Sequence, residues 1–126
     1  MSTDHADVVR AYWAAAEARD WDAFAATLSP DVVYRVPQTR EVVRGREAYL
    51  RFNTEFPGDW HVRVDRVLAD AQGAMSRTTF TVGGEVMTGL CLFTMDEQGL
   101  VAEVEDWWPE PYERPADRAH LTELEG

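Results

Sequence analysis

Apolar positions along the chain change from a helical period to strict alternation. From residue 4 to 28, Val8, Val9, Tyr12, Trp13 and Ala16 recur on one side of a helix, with Asp7, Arg10 and Glu17 towards the other. Alanines 14 to 16 favour that helix, and Ser2, Thr3 or Asp4 supplies its cap. Arg19-Asp20 is a break. Asp22 is then expected to cap a second helix running to Leu28, with Ala23, Phe24 and Leu28 buried and Ser29-Pro30 ending it. Val32, Tyr34 and Val36 share one face of a strand over 31–37. A turn at 38–40 and a short return strand, Glu41 to Val43, follow. A third helix is expected from Arg46 to Phe56, with Tyr49, Leu50, Phe52 and Phe56 as its apolar members and Pro57-Gly58 as its stop.

Beyond residue 58 alternation dominates. Trp60, Val62, Val64 and Leu68 alternate with His61, Arg63 and Asp65. Met75–Val82, Val86–Met95 and Leu100–Trp108 read as three further strands, with turns at Gln72-Gly73, Gly83-Gly84 and Asp96–Gly99. The tail from Pro109 crosses the surface and ends in a short helix, Ala116 to Leu124. Helices followed by an antiparallel meander form an α+β pattern. Twist curls such a meander, so three N-terminal helices can fill its concave side.

A two-residue turn at Gly83-Gly84 fixes register. Val82 then pairs with Glu85, Phe80 with Met87, Thr78 with Gly89 and Ser76 with Cys91. Across the next turn, Met95 is expected opposite Leu100, Phe93 opposite Ala102 and Cys91 opposite Val104. Phe80, Met87, Cys91, Phe93, Ala102, Val104, Asp106 and Trp108 thus face inward. The opposite face carries Val86, Thr88, Leu90, Leu92, Val101, Glu103, Glu105 and Trp107. A bulge would exchange the roles of Trp107 and Trp108. The apolar patches of that outer face call for a cover, and a second copy in a homodimer is expected to supply it.

The chain has 126 residues, 45% hydrophobic and 28% charged, enough for one domain with its own core. Its formal charge of −11 repels phosphate backbones and anionic lipid, so neither nucleic acid nor membrane is expected as a partner. Cys91 stands alone and cannot form an internal disulfide. The polar N-terminus does not resemble a signal peptide, and no apolar run approaches membrane length. A cytoplasmic location is expected.

Asp106 is the one carboxylate on the inward face. Burial raises a carboxyl pKa and suits it to acid–base work. Tyr12 and Tyr34 are the candidate hydrogen-bond donors. Trp13, Trp60 and Trp108 offer flat rings to an apolar molecule, with Val36, Phe52, Phe80, Met87, Cys91 and Val104 completing the expected lining. Gln38, Arg40 and Glu41 stand near the mouth, the last two better read as a solvated turn. His5, His61 and His120 are scattered, so no metal is expected, and no cofactor is expected either. Cys91 has no histidine placed to activate it.

Several segments together resemble the SnoaL-like group of the nuclear transport factor 2-like superfamily: Tyr12-Trp13, Arg19-Asp20-Trp21-Asp22, Leu28–Tyr34, Arg44–Ala48 and Glu105–Pro109. The resemblance spans about residues 6 to 112, with the proline-rich tail outside it. It implies a single domain folded as a cone-shaped α+β barrel, often dimeric. It also implies a pocket enzyme with cyclase- or isomerase-type acid–base chemistry on an apolar or polyketide-like molecule. The alternatives are a non-catalytic ligand-binding protein and a dimeric interaction domain. Measured against ketosteroid isomerases, Tyr12 matches the helix-1 tyrosine, but Val36 stands at the base and Cys91 at the second acid. Measured against limonene-type epoxide hydrolases, Pro109 replaces the last aspartate, and Thr79 replaces the one that accompanies Arg77. Asp106 remains as the one acid of a SnoaL-type cyclase.

Overall fold

The computed structural model describes residues 4–126. Its order is α1 (His5–Ala18), α2 (Trp21–Ala26), β1 (Leu28–Val36), β2 (Glu41–Arg44), α3 (Arg46–Thr54), β3 (Trp60–Ala69), β4 (Gly73–Val82), β5 (Glu85–Met95), β6 (Val101–Trp107) and a 3-10 turn, Ala116–Leu121. Asp4 caps α1 by accepting from the Ala6 N–H; Ser2 and Thr3 lie outside the described residues. Arg19 closes α1 in the left-handed region at φ 60°.

Four helix boundaries depart from expectation. Asp20, rather than Asp22, caps α2 through the Ala23 N–H. With the helix starting two residues early, Ala23 faces solvent. Leu28 belongs to β1 and is fully buried there. Helix α3 ends at Thr54, so Phe56 packs from the following loop. The terminal turn likewise stops at Leu121, short of Leu124.

The six strands form one sheet in the order β2-β1-β6-β5-β4-β3. The meander β3 to β6 is antiparallel, and β6 then lies parallel to β1. Pairing shifts within β1, β3 and β6 mark bulges, which add local twist and curl the sheet. Helix α1 packs on β3 and β4, and α3 on β1, inside the resulting cone. This is the cone fold of nuclear transport factor 2-like proteins.

The Gly83-Gly84 hairpin has the expected register throughout, from Val82↔Glu85 to Ser76↔Cys91. Both glycines have positive φ, 56° and 85°, as a primed two-residue turn requires. The next hairpin differs. Cys91 faces Asp106 rather than Val104, Phe93 faces Val104 rather than Ala102, and Met95 faces Val101 rather than Leu100. Asp96 organises this turn, its carboxylate accepting from the Gln98 and Leu100 N–H groups. That moves the register by one residue, and the bulge between Thr94 and Met95 moves it by another. A two-residue shift preserves the faces, so Val104 and Asp106 still point inward. Val101, ahead of the bulge, turns inward and is fully buried, and Ala102 is left half-buried. The β3 bulge between Val64 and Arg66 similarly turns Leu68 outward and leaves it 52% exposed.

Candidate functional site

Asp106 sits on β6 opposite Cys91 and is 4% exposed. Three donors converge on its carboxyl. Tyr34 O–H, from β1, donates to Oδ2. Trp108 Nε1–H donates to the same oxygen at 3.1 Å. Cys91 S–H donates to Oδ1 at 3.1 Å. Burial pushes the Asp106 pKa up, and the three hydrogen bonds oppose but do not cancel that rise. Burial also pushes Tyr34 and Cys91 upward, and the neighbouring Asp106 charge adds to both. Tyr34 and Cys91 are therefore protonated donors across the physiological range.

A second polar pair lies close by. Tyr12, on α1, and Tyr49, on α3, are both essentially fully buried and hydrogen-bond through their hydroxyls. Burial pushes both above the ordinary tyrosine range. Their mutual bond uses one of two hydroxyl hydrogens, so the other is available to an acceptor in the cavity. Tyr34 stacks on Tyr49 at 4.8 Å, which joins the two polar clusters.

Trp13, Phe52, Trp60, Phe80 and Trp108 line this cavity beside Tyr12, Tyr34, Tyr49 and Asp106. The rings close on one another, Phe80 lying 5.9 Å from Trp60 and 5.1 Å from Trp108. The space left is narrow. The centre of a water-sized sphere has about 40 Å³ there, where roughly 10–15 Å³ holds one water. Admission of a ring-sized molecule therefore requires a wall to move. Phe56 and Trp108 are the wall rings that lie beyond the ends of their elements.

Trp108 is held by a device that alternation does not reveal. Its N–H donates to Gln38 Oε1 at 2.5 Å, and Gln38 Nε2–H donates back to its carbonyl at 3.1 Å. The Gln38 amide thus continues the sheet pairing one residue past β6. Trp107 faces outward and is 37% exposed. The opposite rim is fixed by Arg19, whose guanidinium lies 3.6 Å over the Trp60 ring and donates to the Trp60 carbonyl.

The expected site residues divide accordingly. Asp106, Tyr12, Tyr34, Trp13, Phe52, Trp60, Phe80 and Trp108 meet around one cavity. Val36 and Val104 are buried in the core rather than on the cavity wall. Met87 packs against that core from the strand edge, and Cys91 reaches the site only through Asp106. Gln38 is exposed and acts on the Trp108 backbone. Arg40 and Glu41 are exposed in the turn region. Tyr49, Asn53, Phe56 and Ala16 join the lining without having been singled out. Tyr49 and Phe56 stood in the apolar stripe of the third helix, where a tyrosine reads as packing. Arg77 and Thr79 lie on the outer sheet face, both bonded to Asp65. No group of three His, Cys, Asp or Glu side chains converges as a metal site among the described residues.

By fold and site this is a pocket protein, a cone whose concave side holds an aromatic cavity faced by one buried carboxyl. The chain belongs to the SnoaL-like domain family, whose model matches residues 9–104. It is similar to a Kribbella flavida protein provisionally called a ketosteroid isomerase, at 43% identity over 97% of this chain and 90% of that one, with a TM-score of 0.91. Two further solved structures share the fold. One is an LEH-like epoxide hydrolase from M. tuberculosis, at 20% identity over 83% of this chain and 82% of that one, TM-score 0.70. The other is a Pseudomonas putida protein provisionally called a polyketide cyclase, at 24% identity over 86% of this chain and 93% of that one, TM-score 0.70. No curated protein matches the chain.

Proposed function

We propose that this protein is a SnoaL-like acid–base enzyme acting on a small, flat, apolar or polyketide-like molecule. Asp106 carries the proton, and Tyr34 holds and orients its carboxyl. The spare hydroxyl hydrogen of the Tyr12–Tyr49 pair supports a substrate oxygen, and the aromatic walls bind the carbon frame. The observation that carries this reading is the buried Asp106 carboxyl, pKa raised, lining a mostly aromatic cavity in which it is the one carboxylic acid. Similarity at 43% identity to a protein provisionally called a ketosteroid isomerase supports proton-transfer chemistry in general. The ketosteroid isomerase arrangement is disfavoured, because Val36 and Cys91 occupy its two acid positions. A cytoplasmic homodimer, its partner covering the outer sheet face, accompanies the proposal.

One observation favours a second reading. All three donors around Asp106 satisfy it within the protein, so a binding protein without turnover is the competing function. The two readings separate by experiment. Apolar carbonyl compounds are screened by quenching of tryptophan fluorescence, which the wall rings Trp13, Trp60 and Trp108 report in either case. Proton exchange at the carbon next to the carbonyl of a bound compound is then followed by NMR. The enzyme reading expects exchange in the native protein and a loss of about a hundredfold or more in Asp106→Asn. Binding with no exchange leaves the binding protein, and exchange unaffected by Asp106→Asn removes Asp106 as the group that carries the proton. The rate is expected to rise with pH through a midpoint above the ordinary carboxylate range, because a base must be ionised and burial holds the Asp106 proton longer.

A further inference from the structure

The cavity is too narrow for a ring-sized molecule, so one wall must give, and the contacts of the lining rings say which. Trp13 Nε1–H donates to Ser76 Oγ at 3.0 Å. Trp60 lies under the Arg19 guanidinium. Tyr12 and Tyr49 hold each other, and Tyr34 and Trp108 are both bonded to Asp106. Phe80 is 8% exposed and wedged between Trp60 and Trp108. Phe52 and Phe56 are the half-buried rings of the lining that no such tie pins. Phe56 meets its neighbours edge-on, Phe52 at 5.6 Å and Phe80 at 6.1 Å.

The same two rings also line an open groove of about 540 Å³ between β2 and α3, so they stand between the two spaces. Ala48 and Phe52 follow one another at one-turn spacing along α3, and Val43 from β2 and Pro57 complete an apolar floor. The charged residues of the groove are Glu41, Arg51 and Glu55. Arg51, its single cation, is paired with Glu55 at 2.5 Å, and Glu41 accepts from Thr39 Oγ1 at 2.6 Å. The groove therefore has no spare positive charge for an anion, and two acids against one base repel it. Its chemistry suits a neutral, apolar occupant.

We propose that substrate enters by displacing the Phe56 ring, and that the groove along α3 is a second subsite, holding the neutral apolar tail of an elongate substrate whose enolisable head sits beside Asp106. A short tail suffices, since one helical turn, about 5–6 Å, separates Phe52 from Ala48. A tail ending in a carboxylate or phosphate is selected against. The ring moves rather than the loop that carries it. Gly58 holds φ 90°, and a Cβ there would come within 2.6 Å of Val82 Cγ2, so the backbone just past Phe56 lies tight against β4. The proposal rests on the cavity being a substrate site, and adds where the substrate enters and what its far end must be.

Tryptophan-fluorescence titrations with acetophenone and 4-butylacetophenone, which share one ketone head, test it. The native chain is expected to bind the butyl compound about tenfold or more tighter, as roughly half of the butyl chain leaves water in an open groove. Ala48→Glu, at an exposed helix position, should cut that ratio to about threefold or less. The matching acid, 4-(4-acetylphenyl)butanoic acid, should bind about tenfold or more weakly than the butyl compound. Stopped-flow mixing should show both ketones associating about tenfold faster with Phe56→Ala, because no ring then bars the way. Four results would each overturn the proposal while leaving Asp106 its role: a native ratio under about threefold, a ratio indifferent to Ala48→Glu, an acid that binds as tightly as the butyl ketone, or association unchanged in Phe56→Ala. Failure of both ketones to bind is a different outcome, which removes the cavity as a substrate site and this proposal with it.

Discussion

Tyr12 and Tyr49 illustrate how strongly a buried hydroxyl depends on its neighbour. Each is the other's hydroxyl partner, and Asn53 donates to the Tyr49 carbonyl. Removing one hydroxyl leaves the other buried without a protein partner, at a cost of ~1–3 kcal/mol. Tyr12→Phe and Tyr49→Phe are each expected to lower the denaturation free energy by that amount. The double variant should lose less than the sum, since no orphaned hydroxyl remains. A double-mutant cycle measured by urea unfolding checks this; additive losses would mean that the two hydroxyls do not act as a pair. Asp106 shows the opposite balance, a carboxyl oversupplied with donors whose pKa is nonetheless raised by burial. Because the folded state holds that proton more tightly than the unfolded chain, its contribution to stability is full at low pH. It is lost as pH rises through the folded value.

At the scale of elements, the contact between α1 and β3 is electrostatic as well as apolar. Glu17 accepts from the Val62 N–H at 2.8 Å, which occupies an edge-strand group, and from His61 Nδ1 at 2.8 Å. Burial pushes Glu17 up, but the bonds from His61 and Val62 outweigh it and hold its carboxyl below the ordinary range. The Glu17 hydrogen bond holds His61 above its ordinary value, aided by the charges of Glu17 and Asp59 and opposed by Arg19. The signs give a window. The Glu17 contribution is present above the ordinary carboxylate value and lost as pH falls through its lowered one. The His61 contribution is present below the ordinary histidine value and lost as pH rises through its raised one. The tie is therefore strongest between about pH 4.5 and 6.5. NMR titration should show the His61 midpoint falling towards its ordinary value in Glu17→Gln; an unmoved midpoint would mean that the two side chains are apart in solution.

At the scale of the whole molecule, the helices and sheet meet on a few large rings. Phe24 is fully buried and lies 4.7 Å from Tyr12, 5.5 Å from Trp21 and 5.8 Å from Tyr49. It thus joins α2 to both helices that carry the tyrosine pair. Phe24→Ala is expected to cost about 3–5 kcal/mol, a large part of the ~5–15 kcal/mol that holds a domain together. The denaturant midpoint should fall accordingly, and a loss under about 1 kcal/mol would show that the site collapses without strain. The same rings fill most of the cone, which is why the cavity is narrow and why any ligand must displace a wall.

The sequence by itself determined the period of each segment, hence the α+β class, the six strands and the Gly83-Gly84 register. Each of these depends on side chains within a few residues or directly across a two-residue turn. It placed Asp106 on the concave face, which holds because the Asp96 turn and the following bulge together shift pairing by two residues, an even number, but it left open whether Trp107 or Trp108 joins it there. Tertiary structure alone decided the rest. Leu68 and Val101 changed faces at bulges, Asp20 displaced Asp22 as the cap, and Gln38 left the cavity to clamp Trp108. Tyr49 turned from a packing residue into the partner of Tyr12. These outcomes depend on hydrogen bonds between segments far apart in sequence, whose energies alternation does not encode. How much space remains between the rings is likewise a property of their joint packing, not of any one position.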